Sequence, residues 1–214
     1  MDLMHSCIAL LIGFLFGNIP NGYLYARSQG HDIFKEGSGN PGSTNVLRTM
    51  GKKAGATVLL MDIAKTVFPI FLLTLLWRVE SPALRAQLSL VTGFGAILGH
   101  DFTVIPKLKG GKGVACTGAL LLVFDFRLAL LLLAVFIGIV LISGYVSLGS
   151  IIGVSLFFLS VLLFGRSGWL PVTEQTYLSC TLLSFLIAAL CIFQHRANIQ
   201  RLLHGRENRF GHKK

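Results

Sequence analysis

Long apolar runs separated by short polar segments dominate the pattern along the chain. A helix needs about 20 residues to cross a hydrocarbon core of about 30 Å, so runs of this kind predict membrane-spanning helices. The first run starts without basic residues, which favours a retained span over a cleaved signal peptide. The apolar runs are Leu3–Ala26, Ala54–Trp77, Leu84–His100, Val114–Ser143, Val146–Phe164 and Tyr177–Phe193.

The fourth run is too long for one upright helix and short for two. Asp125 and Arg127 interrupt it, and one charge at the bilayer centre costs about 3 kcal/mol on insertion scales. We therefore predict a break there, between helices at Val114–Phe124 and Leu128–Ser143. This gives an all-α polytopic membrane protein with seven transmembrane helices. The alternative is a single tilted helix over the whole run, which gives six transmembrane helices in total.

The distribution of basic residues favours seven helices. With seven, 14 of the 19 Lys and Arg residues fall on one side, in segments 27–53, 106–113 and 194–214. Four fall on the other side, and Lys65 lies within a span. The positive-inside rule then places the N-terminus outside and the C-terminus in the cytoplasm. With six helices the asymmetry would largely vanish.

Composition excludes two classes of protein. The chain is 53% hydrophobic and only 13% charged, which fits neither a soluble globular domain nor a disordered chain. The net charge is +10, and most of the basic residues lie in the polar segments between apolar runs. This pattern favours a membrane protein over a nucleic-acid-binding one. No cysteine spacing suggests a metal site or a disulfide framework. Residues 1–214 are predicted to form a single membrane domain.

Two glycine-rich polar segments on the predicted cytoplasmic side could bind anions. Gly37–Gly51 supplies hydroxyls, amides and the guanidinium of Arg48, and such a loop can cradle an anion before a helix. Lys109–Gly113 combines glycines with lysines directly before an apolar helix. It does not match the P-loop pattern. The alternative for the first segment is a flexible linker. The alternative for the second is a basic loop that contacts lipid headgroups, and Lys107 taken alone fits that interpretation.

Other polar residues also have two interpretations. His195 and Asn198 would share a helix face at the membrane surface, either in a site or on an amphipathic helix that binds lipid. Ser147 and Ser150 could donate hydrogen bonds into a site or cap the next helix. Asp62 and Lys65, three residues apart in a span, can form an ion pair.

Three segments in this order, GSGNPGSTNVLRTMG, GHDF…KGGKGVA and HRANIQRLLHGRE, resemble the cytoplasmic motifs of the bacterial acyl-phosphate:glycerol-3-phosphate acyltransferase (PlsY) family. The resemblance implies a phospholipid-synthesis enzyme of the bacterial inner membrane, with its active site facing the cytoplasm. The implied reaction transfers an acyl group from acyl phosphate to the sn-1 hydroxyl of glycerol 3-phosphate, giving lysophosphatidic acid. It implies neither a metal nor a cofactor.

The residues carried over from the resemblance fall into two groups. The expected catalytic residues are Ser38, Asn45, Lys112 and His195. The expected substrate-binding residues are Thr44, Arg48, Lys109, Gly110, Gly111, Gly113, Ser147, Ser150, Asn198 and Glu207. Only one of Ser147 and Ser150 is expected to match the family's serine. Either His195 or a substrate phosphate would act as the general base.

The expected partners are acyl phosphate, glycerol 3-phosphate and membrane lipid, with no nucleic acid, and a monomer is plausible. The main rival is a small membrane transporter for an organic phosphate anion. A transporter needs polar groups through the midplane, where this chain offers only Asp62 and Lys65. A lipid-binding scaffold, the second rival, would not need the glycine-rich loops.

Overall fold

The computed structural model describes residues 1–105 and 109–210, which form helices and no strands. Lys107, Lys213 and Lys214, three of the cations in the charge argument, lie outside the described residues. The all-α prediction therefore holds over the described part of the chain. The helices are α1 Leu3–Gly17, α2 Asn21–Ser28, α3 Ser43–Met50, α4 Lys52–Leu76, α5 Pro82–Asp101, α6 Val114–Phe124, α7 Phe126–Ser143, α8 Val146–Phe164, α9 Glu174–Gln194 and α10 Arg196–Leu203.

Within residues 1–105 and 109–210, the predicted apolar runs are largely helical, and five helical segments are long and apolar enough to cross a membrane. The segment at Leu3–Ser28 contains both α1 and α2. α6 is apolar but has only 11 residues, and α5 has 20 residues with more polar ones among them. The count of seven crossings stays a prediction. The five segments are Leu3–Ser28, Lys52–Leu76, Phe126–Ser143, Val146–Phe164 and Glu174–Gln194.

The predicted break at Asp125 is confirmed. α6 ends at Phe124 and α7 begins at Phe126, two residues earlier than predicted. Asp125 is extended, and its carboxylate accepts hydrogen bonds from the Leu128 N–H at 2.9 Å and the Arg127 guanidinium at 2.8 Å. α7 starts early because Asp125 is its N-cap. Burial favours a raised pKa for Asp125, but these hydrogen bonds outweigh it and hold the pKa below its usual value.

The chain divides into two compact units. Unit 1 contains Met1–Arg78 and Val91–Leu120, and unit 2 contains Val79–Leu90 and Leu121–Lys214. Within unit 1, α1 packs backbone to backbone on α5, because a Cβ at Gly13 would lie 2.0 Å from the Thr92 carbonyl oxygen. Such close approach through small residues is typical of helices in membranes.

In unit 2, α8 packs between α7 and α9. Gly149 on α8 leaves room for the ring of Phe136 on α7, and a Cβ there would lie 2.9 Å from that ring. The Gln87 side chain donates to the Ser179 hydroxyl at 2.8 Å and ties the start of α5 to α9. Both units therefore combine apolar packing with a few buried polar contacts.

Candidate active site

The first glycine-rich loop of unit 1 is held in shape by Asn45. Its Oδ1 accepts the Ser38 N–H at 2.8 Å, and its Nδ2 donates to the Glu36 carbonyl at 3.0 Å. Asn45 is buried, and Gly37 and Gly39 have φ of +57° and +68°, a region that favours glycine. The Asn45 amide thus organises the loop backbone from inside it.

α3 follows this loop directly, as an anion cradle requires. It begins at Ser43, and its N-cap residue Gly42 supplies no side-chain hydrogen bond. Among the described residues, the N–H groups of Ser43 and Thr44 have no acceptor, so the positive end of the helix dipole is available to an anion.

Polar side chains of the first loop and of α3 remain accessible. Ser38 is exposed, and Thr44 and Arg48 are partly exposed. Arg48, in the last turn of α3, has no hydrogen bond or ion pair with any residue of the described ranges 1–105 and 109–210. These side chains can therefore add hydroxyl and guanidinium contacts to a bound phosphate.

The second loop, Lys109–Gly113, is folded tightly against the end of α5. The Gly111 N–H donates to the His100 carbonyl at 3.0 Å, and a Cβ on Gly110 would lie 1.9 Å from that same oxygen. Gly113 has φ of +68° and immediately precedes α6. These glycines are required by the close approach of the backbone, and only Lys109 is exposed while Lys112 is half-buried.

The two loops of unit 1 contact each other through Asn40. Its Oδ1 accepts the Gly42 N–H at 2.9 Å, and its Nδ2 donates to the Gly110 carbonyl at 3.4 Å. The structure thus brings together the first two predicted segments, with Arg48, Lys109 and Lys112 as their cations.

A buried polar cluster lies next to the second loop. The predicted ion pair is confirmed, with Lys65 Nζ 3.0 Å from Asp62 Oδ1 and both side chains almost fully buried. His100 Nδ1 lies 2.9 Å from the same Nζ, and Asn21 Nδ2 donates to Asp62 at 3.0 Å. The sequence analysis assigned no role in the site to His100 or Asn21. A polar residue in an apolar run was the available signal for both.

In unit 2, Glu207 is the centre of a second cluster. Its carboxylate is nearly buried and accepts hydrogen bonds from Ser147 Oγ at 3.1 Å, Asn198 Nδ2 at 2.7 Å and Arg201 Nε at 2.7 Å. Ser150 instead donates to the Val146 carbonyl of its own helix at 2.9 Å. Ser147, and not Ser150, therefore belongs to the cluster, and neither serine is the N-cap of α8.

His195 lies at the junction of α9 and α10, directly before the helix that carries Asn198. It is buried, and its Nδ1 lies 2.7 Å from the Cys191 carbonyl. Because a carbonyl only accepts, Nδ1 carries a proton. In the neutral ring, Nε2 is therefore the nitrogen able to accept a proton.

No group of three or more His, Cys, Asp or Glu residues that could hold a metal ion occurs in residues 1–105 and 109–210. Unit 1 offers backbone N–H groups and cations that can bind phosphate groups, and unit 2 offers a histidine that can exchange a proton.

Comparison with known proteins gives consistent matches. The family model described as glycerol-3-phosphate acyltransferase matches residues 7–205. Glycerol-3-phosphate acyltransferase from Crocosphaera subtropica is 37% identical, over 100% of this chain and 97% of the relative. The enzyme of the same name from Clostridioides difficile is 36% identical over all of both chains.

The structural matches agree with the sequence matches. The crystal structure of PlsY (YgiH), an integral membrane glycerol 3-phosphate acyltransferase in its glycerol 3-phosphate form, has a TM-score of 0.82 and 34% identity. The structural alignment covers 96% of this chain and 96% of that chain. The lysophosphatidic acid form gives a TM-score of 0.79 at the same identity, with 96% of this chain and 95% of the other covered. Together with its apolar helices, these matches identify the chain as a membrane protein.

Proposed function

Because the chain belongs to the glycerol-3-phosphate acyltransferase family, we propose that it transfers a fatty acyl group from acyl phosphate to the sn-1 hydroxyl of glycerol 3-phosphate. The products are lysophosphatidic acid and inorganic phosphate. The observation that carries this proposal is the pair of glycine-rich loops in unit 1, joined through Asn40 and equipped with three cations. Two phosphate-bearing substrates need such a set of donors.

The chemistry is a displacement at an activated carbonyl. The glycerol hydroxyl oxygen forms a bond to the acyl carbon, the bond from that carbon to the phosphate oxygen breaks, and the hydroxyl proton leaves. The departing phosphate needs its charge stabilised, and the N–H groups of Gly110 and Gly113 together with Lys112 suit that role, because the Gly111 N–H already donates to the His100 carbonyl. The first loop, with Ser38 and Thr44, supplies further donors. Catalysis of this kind consists mainly of positioning and charge stabilisation.

The acceptor substrate needs a cation for its phosphate and amides for its hydroxyls. Arg48 and Lys109, two cations of unit 1, are proposed to bind the phosphate of glycerol 3-phosphate. Asn198, held by Glu207 at 2.7 Å, is proposed to orient its hydroxyls, and Asn45 acts through the loop that it holds. Nε2 of His195 and a phosphate oxygen of a substrate are the two groups that can take the hydroxyl proton.

The first experiment is an assay of the purified protein in detergent with palmitoyl phosphate and glycerol 3-phosphate. We expect formation of lysophosphatidic acid and release of one inorganic phosphate per product. Omission of either substrate is the control and should abolish both products. Hydrolysis of palmitoyl phosphate without acyl transfer would contradict the proposed function.

The proposed orientation follows from the charges. We propose seven crossings in a bacterial cytoplasmic membrane, with α1 and α2 forming the first and the N-terminus outside. The loops at 27–53 and 106–113 and the C-terminal segment 194–214 would then lie in the cytoplasm, where 14 of the 19 basic residues support their placement.

This orientation predicts the labelling of single cysteines in intact cells. After replacement of the four native cysteines, Lys109→Cys should react with a membrane-impermeant maleimide only when the membrane is opened. Ser167→Cys, in the exposed segment between α8 and α9, is the matched control and should react from outside. Labelling of position 109 from outside would exclude the proposed topology.

A further inference from the structure

We propose that the buried cluster of Asp62, Lys65 and His100 is a positioning device that sets the geometry of the Gly110–Gly113 loop. The inference deepens the proposed function and rests on it, because it assigns a task to residues that are not expected to touch either substrate. Lys65 lies 13 residues along α4 from Lys52, or about 20 Å at 1.5 Å per residue. A charge so deep in an apolar helix is costly to bury.

The hydrogen bonds of Lys65 fix the state of His100. The ammonium group has three N–H donors and no lone pair, and its Nζ contacts Asp62 Oδ1 at 3.0 Å, the Ile19 carbonyl at 2.9 Å and His100 Nδ1 at 2.9 Å. His100 Nδ1 must therefore be the acceptor. It follows that the imidazole is neutral, that its proton lies on Nε2, and that its ring cannot rotate without losing the Lys65 contact.

His100 in turn contacts the loop in two ways. Its carbonyl oxygen accepts the Gly111 N–H at 3.0 Å, and its ring edge fills the space beside the Gly111 Cα. A Cβ on Gly111 would lie 1.9 Å from His100 Nε2. The orientation of the ring, which Lys65 sets, therefore determines how closely the loop can approach α5.

Simple helix packing does not account for this arrangement. Apolar side chains of similar volume hold helices together as well as a buried ion pair does, because they pay no desolvation cost. What a polar cluster adds is direction, since each hydrogen bond fixes an angle as well as a distance. A loop that presents N–H groups and a lysine to a phosphate depends on such angles.

The test uses a variant that removes the cluster without leaving a buried charge. The double substitution Asp62→Asn with Lys65→Met keeps the volume of both side chains and removes both charges. We expect the KM for palmitoyl phosphate to rise about tenfold, with a much smaller change in kcat, because the displaced loop binds phosphate less well. A purely structural role would instead lower the amount of folded enzyme and leave KM unchanged.

Two substitutions of His100 separate the effect of its hydrogen bond with Lys65 from the effect of the volume of its ring. Asn places an oxygen near the position of Nδ1 and can still accept from Lys65, whereas Leu has similar volume and cannot. We expect His100→Leu to raise KM about tenfold and His100→Asn to recover most of that loss. Equal KM values for the two variants would overturn the inference. So would a wild-type KM in the double variant of Asp62 and Lys65.

The control variant and the wild type distinguish this inference from the proposed function. Asp125→Asn removes another buried carboxylate paired with an arginine, in unit 2, and should leave KM unchanged. If the wild type makes no lysophosphatidic acid, the proposed function fails. If it does and the cluster variants match it, only the inference fails. A rise confined to the KM for glycerol 3-phosphate would support the inference and reassign the loop to that substrate.

Discussion

Replacement of Arg48 by alanine is expected to lower kcat/KM for acyl transfer by about tenfold to a hundredfold or more, while the protein stays folded and inserted. A hydrogen bond to a charged group contributes about 1.5–3 kcal/mol, and each 1.36 kcal/mol is a factor of about ten in rate. Arg48 has no partner among the residues that the structure describes, so its loss leaves no buried group unsatisfied. The measurement is steady-state turnover with both substrates varied.

Two further variants make this result specific. Lys52→Ala removes the same charge from an exposed residue at the start of α4 and should have little effect. Arg48→Lys keeps the charge but loses the planar pair of donors, so an intermediate loss is expected. Lys112→Ala should resemble Arg48→Ala, because it removes one of the two cations of the second loop, the one proposed to stabilise the departing phosphate. Equal losses for Lys52 and Arg48 would favour a general attraction of anions to a basic surface.

The helices could be predicted from the sequence because each rule involved is local. A charge in an apolar run must leave the hydrocarbon region or be paired, and that argument located the break at Asp125. The same reasoning missed the division between α1 and α2, where Pro20 lacks an N–H and the chain changes course after Asn18. It also missed the two-residue extension of α7, which depends on a side chain capping the backbone.

The candidate site could be predicted only as a set of residues. Glycines beside cations indicate an anion cradle, and the order of the motifs indicates the family. The sequence does not show that the Asn45 amide bonds to Glu36 and Ser38 within its own loop, or that Ser147 rather than Ser150 contacts Glu207. These contacts depend on which segments approach in space, and local spacing carries no such information. The link from Lys65 through His100 to Gly111 is hidden for the same reason.

The acyl donor should be acyl phosphate alone. In acyl phosphate the phosphate is bonded directly to the acyl carbonyl, so a cradle that holds the phosphate also positions the reacting carbon. In acyl-CoA the nearest phosphate is separated from the thioester by the long pantetheine arm. The Gly110–Gly113 loop is short and packs closely on His100. The N–H groups of Gly110 and Gly113 and the ammonium group of Lys112 suit a single terminal phosphate.

We therefore expect palmitoyl phosphate to support formation of lysophosphatidic acid and palmitoyl-CoA at the same concentration to give none above background. Inorganic phosphate, the second product, should compete with palmitoyl phosphate and not with glycerol 3-phosphate, because it occupies the donor's cradle. Both results come from one set of initial rates with each substrate varied in turn, and chloride at equal ionic strength controls for screening of the charges. Equal turnover with palmitoyl-CoA would remove Gly110–Gly113 as the donor's phosphate site. The acyltransferase activity would remain, but leaving-group stabilisation would then have to come from other residues.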